Sequence, residues 1–371
     1  MALSKHKLGE FIELLDNRNV NLEYGPDDVR GVNNLKQLMP TKADISGRDL
    51  TKFQIVHPGD FVFNHRTSRN GSKFSIAYND LSFPVICTED YVVFRIKSAY
   101  QRTLHARWLY MFFNRPEFDR YVITNSWGSS TEFYNWEDIC EVELALPTFE
   151  IQGKYVDIYN AMLDNQRVYE SGLEDMELIC MSFIEGLRKQ GPLFRIGEYI
   201  APYNEKNTDG SIVLEQGINI NKQFITPQRS NSNLTGRKIV RQGQFAYCTQ
   251  LNNENVAIAY RTGEDCVVSS VYDVFEIARK DELLPEYLML WLIRPEFGRF
   301  VYWASEGSAY EFLNYNNLAD YLIPVPDIEI QRAIGNIYLS YVTRKNINAQ
   351  LKAQIKELCP ILIKGSLEEG V

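Results

Sequence analysis

The 371-residue chain contains no apolar run of about 18 residues, so it offers no membrane-spanning helix. Its opening stretch, Met1 to Glu10, is polar and lacks the apolar core of an export signal, which points to a cytoplasmic protein. Histidine is scarce: His6, His57, His65 and His105 are the only four, and none are paired in sequence. The six cysteines, Cys87, Cys140, Cys180, Cys248, Cys266 and Cys359, show no Cys-x-x-Cys spacing. Neither a zinc site nor a disulfide framework is therefore expected, and the thiols are read as reduced and mostly buried. The chain also lacks a Gly-x-x-x-x-Gly-Lys phosphate loop, a dinucleotide-type glycine fingerprint and a Gly-x-Ser-x-Gly elbow. There is no Asn/Asp-Pro-Pro-Tyr/Phe tetrapeptide, and no carboxylate spacing singles out an acid–base pair. These absences predict no catalytic residue, no metal and no cofactor in this chain, and they favour a binding protein. Broadly basic charge is missing too. The net charge of −9 argues against a domain that grips nucleic acid by charge alone.

What the chain does have is repetition. Arg115-Pro116-Glu117-Phe118 recurs as Arg294-Pro295-Glu296-Phe297, 179 positions on, and the register then holds without a gap. Gly128-Ser129 falls on Gly307-Ser308, Glu132-Phe133 on Glu311-Phe312, Pro147 on Pro326, Ile151-Gln152 on Ile330-Gln331, and Cys180 on Cys359. Upstream the match is looser but continuous. Leu8-Gly9-Glu10-Phe11-Ile12 matches Ile196-Gly197-Glu198-Tyr199-Ile200, and Gly31-Val32-Asn33 with Lys36-Gln37 matches Gly217-Ile218-Asn219 with Lys222-Gln223. A duplicated unit of this size presents two similar surfaces related by approximate two-fold symmetry. It suits a target that is itself two-part.

Within each copy, short β-branched and aromatic runs broken by Gly and Pro read as strands, for example Tyr91 to Ile96 and its counterpart Tyr272 to Ile277. A helix is expected from Leu104 to Asn114, stopped by Pro116, with a twin from Tyr287 to Ile293 stopped by Pro295. After Pro147 and Pro326 the pattern changes to an alternation of three and four. The first seam reads Tyr155, Ile158, Met162, Asn165, Tyr169, Gly172, Met176, Ile179 and Phe183. The second reads Ile334, Ile337, Tyr341, Arg344, Asn348, Leu351, Ile355, Leu358 and Leu362. Heptad spacing sustained this long argues for a coiled coil, with Asn165 and Arg344 as polar register residues. The alternative is that each helix packs on its own domain. The first helix has an excess of acidic residues and the second a slight excess of basic ones, which favours pairing with each other. The expected fold is α+β. Two pseudo-symmetric mixed α/β domains, residues 1–148 and 191–326, are separated by two long helices, 149–190 and 327–371, that form an antiparallel coiled coil.

The charged residues are unevenly spread. Phe61 to Asn79 contains no Asp or Glu, and neither does Gln216 to Asn253. Arg reads guanine and Asn or Gln reads adenine in the major groove, so loops rich in both are candidate base readers. On charge and amide content the candidate DNA contacts are Asn33, His65, Arg66, Arg69, Asn70 and Lys73 in the first copy. In the second they are Asn219, Lys222, Arg229, Asn231, Arg237, Gln250, Asn252 and Asn253. These stretches align poorly between the copies while their flanks align well, as two different half-sites would require. The Gly-Ser loops at Trp127–Thr131 and Ala304–Ser308 are read as structural turns, with phosphate contact through backbone N–H groups as the alternative.

The arrangement resembles the specificity (S) subunit of type I restriction-modification systems over nearly the whole chain. The resemblance is carried by Gly128-Ser129 through Leu146-Pro147 with Glu150-Ile151-Gln152, and by Gly307-Ser308 through Val325-Pro326 with Glu329-Ile330-Gln331, each followed by a heptad helix. It implies two target-recognition domains that each read one half of a bipartite, asymmetric site in double-stranded DNA, held apart by the helices. It implies two methyltransferase (M) subunits as partners, which methylate adenine with S-adenosylmethionine, and restriction (R) subunits that join the same complex. The base-reading residues of that family lie in variable loops, so none transfers here by motif. Two other readings stand beside it: a duplicated scaffold that binds proteins rather than DNA, and a self-contained nuclease.

Overall fold

The computed structural model describes residues 3–33, 35–41, 43–67, 73–128, 132–227, 233–251, 255–305 and 312–371. The chain divides into two compact units: Met1–Arg167 with Ala349–Val371, and Val168–Asn348. Each unit thus holds one globular part, half of the first long helix (Phe149–Gln190) and half of the second (Ile328–Glu369).

Both globular parts share one topology. In the first unit the central antiparallel sheet runs Ile12–Leu15, Tyr91–Ile96, Phe61–Asn64, Ile76–Tyr78. In the second it runs Ile200–Tyr203, Tyr272–Ile277, Phe245–Cys248, Ile258–Tyr260. Equivalent residues pair across both sheets: Phe61 opposite Phe94, and Phe245 opposite Phe275. Their rings stack at 5.0 Å and 4.9 Å, and sheet, short helices and long helices close over this aromatic centre. The Gly-Glu motif at the head of each copy has a steric cause. A Cβ on Gly9 would lie 2.8 Å from Cys140 Cβ, and one on Gly197 would lie 2.8 Å from Ala319 Cβ.

The expected helices form at Ala106–Phe113 and Pro285–Leu292. Pro116 and Pro295 do more than end them. Each occupies the first turn of a further helix, Pro116–Thr124 or Pro295–Ala304, where its missing N–H costs nothing.

The long helices pair antiparallel within each unit. In the first, Lys154 and Tyr155 meet Glu369, with Lys154 Nζ 2.7 Å from Glu369 Oε1. In the second, Gly172 lies against the Arg344 guanidinium, and Tyr341 Oη donates to Glu177 at 3.2 Å. The seam expected for the second helix lies inward: Ile334 and Ile355 are buried, and Ile337, Tyr341, Leu351 and Leu358 are half-buried. The first helix departs from expectation. Ile158 and Ile179 are 43% and 51% exposed, and the buried line runs one residue later, through Val156, Tyr159, Cys180 and Ile184. Tyr155, Met162, Tyr169 and Met176 are only half-buried, and Asn165 is exposed. The helix packs against its globular part as well as the other helix, so its apolar stripe is broader than a single heptad seam and centred elsewhere. The two readings of the helices, mutual pairing and packing on a domain, hold at once.

The junction between globular part and long helix is the same in both units. Gln152 is fully buried. Its Nε2 donates to the carbonyls of Thr103 and Pro147, each at 2.9 Å, and its Oε1 accepts from His105 N–H at 2.8 Å. Gln331 repeats the set with the carbonyls of Glu282 and Pro326, each at 2.7 Å, and Leu284 N–H at 2.9 Å. Replacing either glutamine by Leu removes three hydrogen bonds at once, two to carbonyls and one from an N–H of the globular part. We expect each substitution to cost about 2 kcal/mol in urea unfolding, since three hydrogen bonds of about 0.5–1.5 kcal/mol each are lost. A change below 0.5 kcal/mol would contradict this role of the junction.

Candidate nucleic-acid interface

In each unit the chain leaving the Phe61–Asn64 or Phe245–Cys248 strand is tied to a segment some 60 residues further on, just before the short helix Trp136–Cys140 or Tyr315–Ala319. In the first unit the chain leaving Phe61–Asn64 is tied to the segment around Phe133. Thr67 N–H donates to Glu132 O at 2.9 Å, Tyr134 N–H donates to His65 O at 2.8 Å, and Trp127 and Phe133 exchange backbone bonds at 3.0 and 2.9 Å. In the second unit Gln250 bridges Phe312, and Leu313 N–H donates to Thr249 O at 2.9 Å.

The sequence-derived contacts other than Lys222 fall into three groups. His65, Arg66, Lys73 and Gln250 lie on the tied segments or beside them. The His65 ring packs edge-on to Phe133, and burial, with the nearby Arg66, lowers its pKa. Arg66 reaches Asp90 at 3.2 Å. Lys73 sits against Lys356 of the second long helix, and this contact holds the Lys356 ammonium below its usual pKa. Arg69, Asn70, Arg229, Asn231, Asn252 and Asn253 lie outside the described residues.

The third group has structural work to do. Asn33 Oδ1 accepts from Leu35 and Gln37 N–H, and Asn219 Oδ1 accepts from Gln223 N–H. Both side chains hold the turn of a small hairpin. Arg237 faces Glu215 at 3.7 Å. Its neighbours Lys238 and Arg241 are also neutralised, by Asp273 and by Glu205 and Asp265. The stretch from Gln216 to Asn253 is free of acids in sequence but not in space. Pairing of the Lys238–Val240 strand with Cys266–Val268 brings carboxylates from distant segments onto it.

Exposed aromatics are the feature that charge counting missed. Trp127 is 72% exposed, Trp303 82% and Phe312 44%, all flanking the Gly-Ser loops. Large aromatic faces left in solvent beside loops can stack on bases or anchor a partner. An aromatic immediately beside a Gly-Ser turn is the sequence signal that could have found Trp127. Among the described residues no group of three His, Cys, Asp or Glu could hold a metal ion, and no helix is long and apolar enough to cross a membrane.

Lys222 is the residue whose place differs most from expectation. Lys36 and Lys222 both take a left-handed backbone, φ 60°, at the same hairpin turn and run inward. Lys36 reaches Phe113 O and the Asp119 carboxylate, the latter at 2.6 Å. Lys222 reaches Leu292 O at 2.7 Å and Val256 O at 3.4 Å, and its ammonium lies over the Phe297 ring. Each lysine caps the C-terminal carbonyls of a short helix, where the helix dipole favours a cation. In the second copy the carboxylate is gone, because Gly298 stands where the first has Asp119. Burial then pushes the Lys222 pKa down to about 8 from 10.5. Between those pH values the unfolded chain holds a proton that the native state has released, so the contribution of this group to stability rises with pH. Thermal unfolding across pH 7–10.5 should show wild type gaining on a Lys222→Met variant above pH 8. A constant difference would contradict the depressed pKa.

No protein-family model matches the chain, and no curated protein sequence matches it. Solved structures do match. The type I restriction-modification system S subunit from M. genitalium superposes with a TM-score of 0.64 at 11% identity, over 99% of this chain and 96% of that one. A chain from a structure of complex assembly and conformational transition of the type I R-M system gives 0.46 at 16% identity, over 99% and 97%. The HsdS subunit from Thermoanaerobacter tengcongensis gives 0.38 at 16%, over 100% and 97%. At these identities the likeness is one of fold, and the M. genitalium subunit carries it: the chain has the fold of a type I restriction-modification S subunit.

Proposed function

We propose that the chain is the non-catalytic specificity subunit of a type I restriction-modification complex, with each unit reading one half of a bipartite, asymmetric DNA site. The observation that carries this reading is the pairing of a repeated scaffold with unrepeated loops. Two globular parts share one strand order and a repeated Gly-Ser motif, while the sequences that follow the Phe61–Asn64 and Phe245–Cys248 strands differ between the copies. One scaffold with two loop sets is what two different half-sites need. The fold shared with the M. genitalium S subunit supports the same assignment.

On this reading the long helices set the distance between half-sites. A 42-residue helix is about 60 Å long at 1.5 Å per residue. Adenine methylation belongs to two partner M subunits that hold S-adenosylmethionine, and cleavage belongs to R subunits. Basic surface on those partners would provide the non-specific DNA affinity that a chain of net charge −9 lacks. Removing one heptad from each long helix, near Arg167 and near Asn348, should shorten the spacer of the methylated motif by a few base pairs and leave both half-sites unchanged. Modified-base sequencing of cells carrying the shortened chain checks this. An unchanged spacer would contradict the role of the helices as a ruler.

A further inference from the structure

One backbone position just past the central sheet is held in the same way in both units. Arg66 and Gln250 are each the second residue after a strand, Phe61–Asn64 or Phe245–Cys248. Each forms a bridge to a phenylalanine of the repeat, Phe133 or Phe312. The residue after that phenylalanine donates to the residue before the bridge: Tyr134 N–H to His65 O at 2.8 Å, and Leu313 N–H to Thr249 O at 2.9 Å. From here the chain runs into the stretches that do not repeat.

The side chains held there differ. Arg66 is half-exposed, and its Nη2 donates to Asp90 at 3.2 Å. The two side chains of this pair are 32% and 48% exposed, so the pair adds little stability. Its effect is to aim the guanidinium, whose planar fork keeps further N–H donors for another acceptor. Gln250 is exposed, and Val271 stands where the first copy has Asp90, each just ahead of an equivalent paired tyrosine, Tyr272 or Tyr91. The carboxylate is present only beside the arginine. Phe133 also bridges Trp127, whose indole is 72% exposed, and Phe312 is itself 44% exposed. An exposed aromatic thus stands near the polar side chain in each unit.

An arginine fork presents two donors, which match the O6 and N7 acceptors of guanine. A glutamine amide presents one donor and one acceptor, which match N7 and N6 of adenine. Neither pattern fits the other base. We infer that this is one base-reading position used by both units: Arg66 selects a G·C pair in one half-site, and Gln250 selects an A·T pair in the other. This assignment rests on the chain being a DNA specificity subunit, and it gives each unit a named base at a matched place in the fold.

Modified-base sequencing gives the motif, and methyl transfer by the full complex with its M subunits then tests the assignment on duplexes carrying the motif and each single base-pair change. Wild type should discriminate by about tenfold or more against replacing one G·C pair in one half-site and one A·T pair in the other. Arg66→Ala should lower discrimination at that G·C pair to about threefold or less, and Gln250→Ala should do the same at the A·T pair, each leaving the other half-site unchanged. Arg66→Gln should move the preference at its position to A·T. Where a variant transfers no methyl group, competition binding of the same duplexes reads the discrimination directly. A wild type that methylates no split motif would overturn the DNA reading and this assignment together. A split motif read by wild type with discrimination unaltered in both alanine variants, a change spread over both half-sites, or loss of binding to every duplex would overturn the assignment alone.

Discussion

The structure depends on a buried glutamine at the start of each long helix. A helix that leaves a globular part through a proline-ended strand must be held in direction, and hydrophobic packing alone permits rotation and slippage. Gln152 and Gln331 remove that freedom by bonding two carbonyls and one N–H that belong to the domain. Because both glutamine side chains are themselves fully buried, a rotated helix would leave their amides without partners. The Trp108 indole N–H, 3.0 Å from Ser366 Oγ on the second long helix, adds a second fixed point in the first unit. Loops at the far edge of the sheet can then vary without disturbing the direction of the helix.

The duplication is close in its architecture and loose in its polar detail. Stacked Phe pairs, the glutamine junction, the glycine contacts and the lysine that caps a helix recur in both units. Their electrostatic neighbours do not. Arg294 is buried and pairs with Glu185 on the first long helix at 2.8 Å, whereas its counterpart Arg115 stacks on Phe112 with its guanidinium 3.8 Å from the ring centre. Asp119 has become Gly298, and Tyr110 has become Met289. Packing constraints are shared by both copies and resist change. Charge pairs at the edges of the packing are local, so each copy has settled them differently.

This difference also decides what could be read from the sequence. The repeat, the strand-rich globular parts and the two long helices were legible because periodicity and position-by-position identity survive in a linear text. The first helix's seam was misplaced by one residue, since a stripe that serves two neighbours has no single heptad phase. Pro116 and Pro295 were read as terminators, although proline starts helices as readily as it stops them. The surroundings of the candidate DNA contacts were the least legible part. An acid-free run in sequence says nothing of the carboxylates that strand pairing brings alongside, as Arg237 with Glu215 shows. Lys222 was counted as a surface cation because nothing local marks a lysine that turns inward from a left-handed position.

The central claim is that this chain carries the sequence specificity of a DNA-modifying complex. Modified-base sequencing of host DNA with and without its gene tests that most directly. The account predicts that deletion abolishes N6-methyladenine at one asymmetric, split motif and nowhere else. Methylation that is unchanged at every motif while the partner methyltransferase subunits are expressed would contradict it.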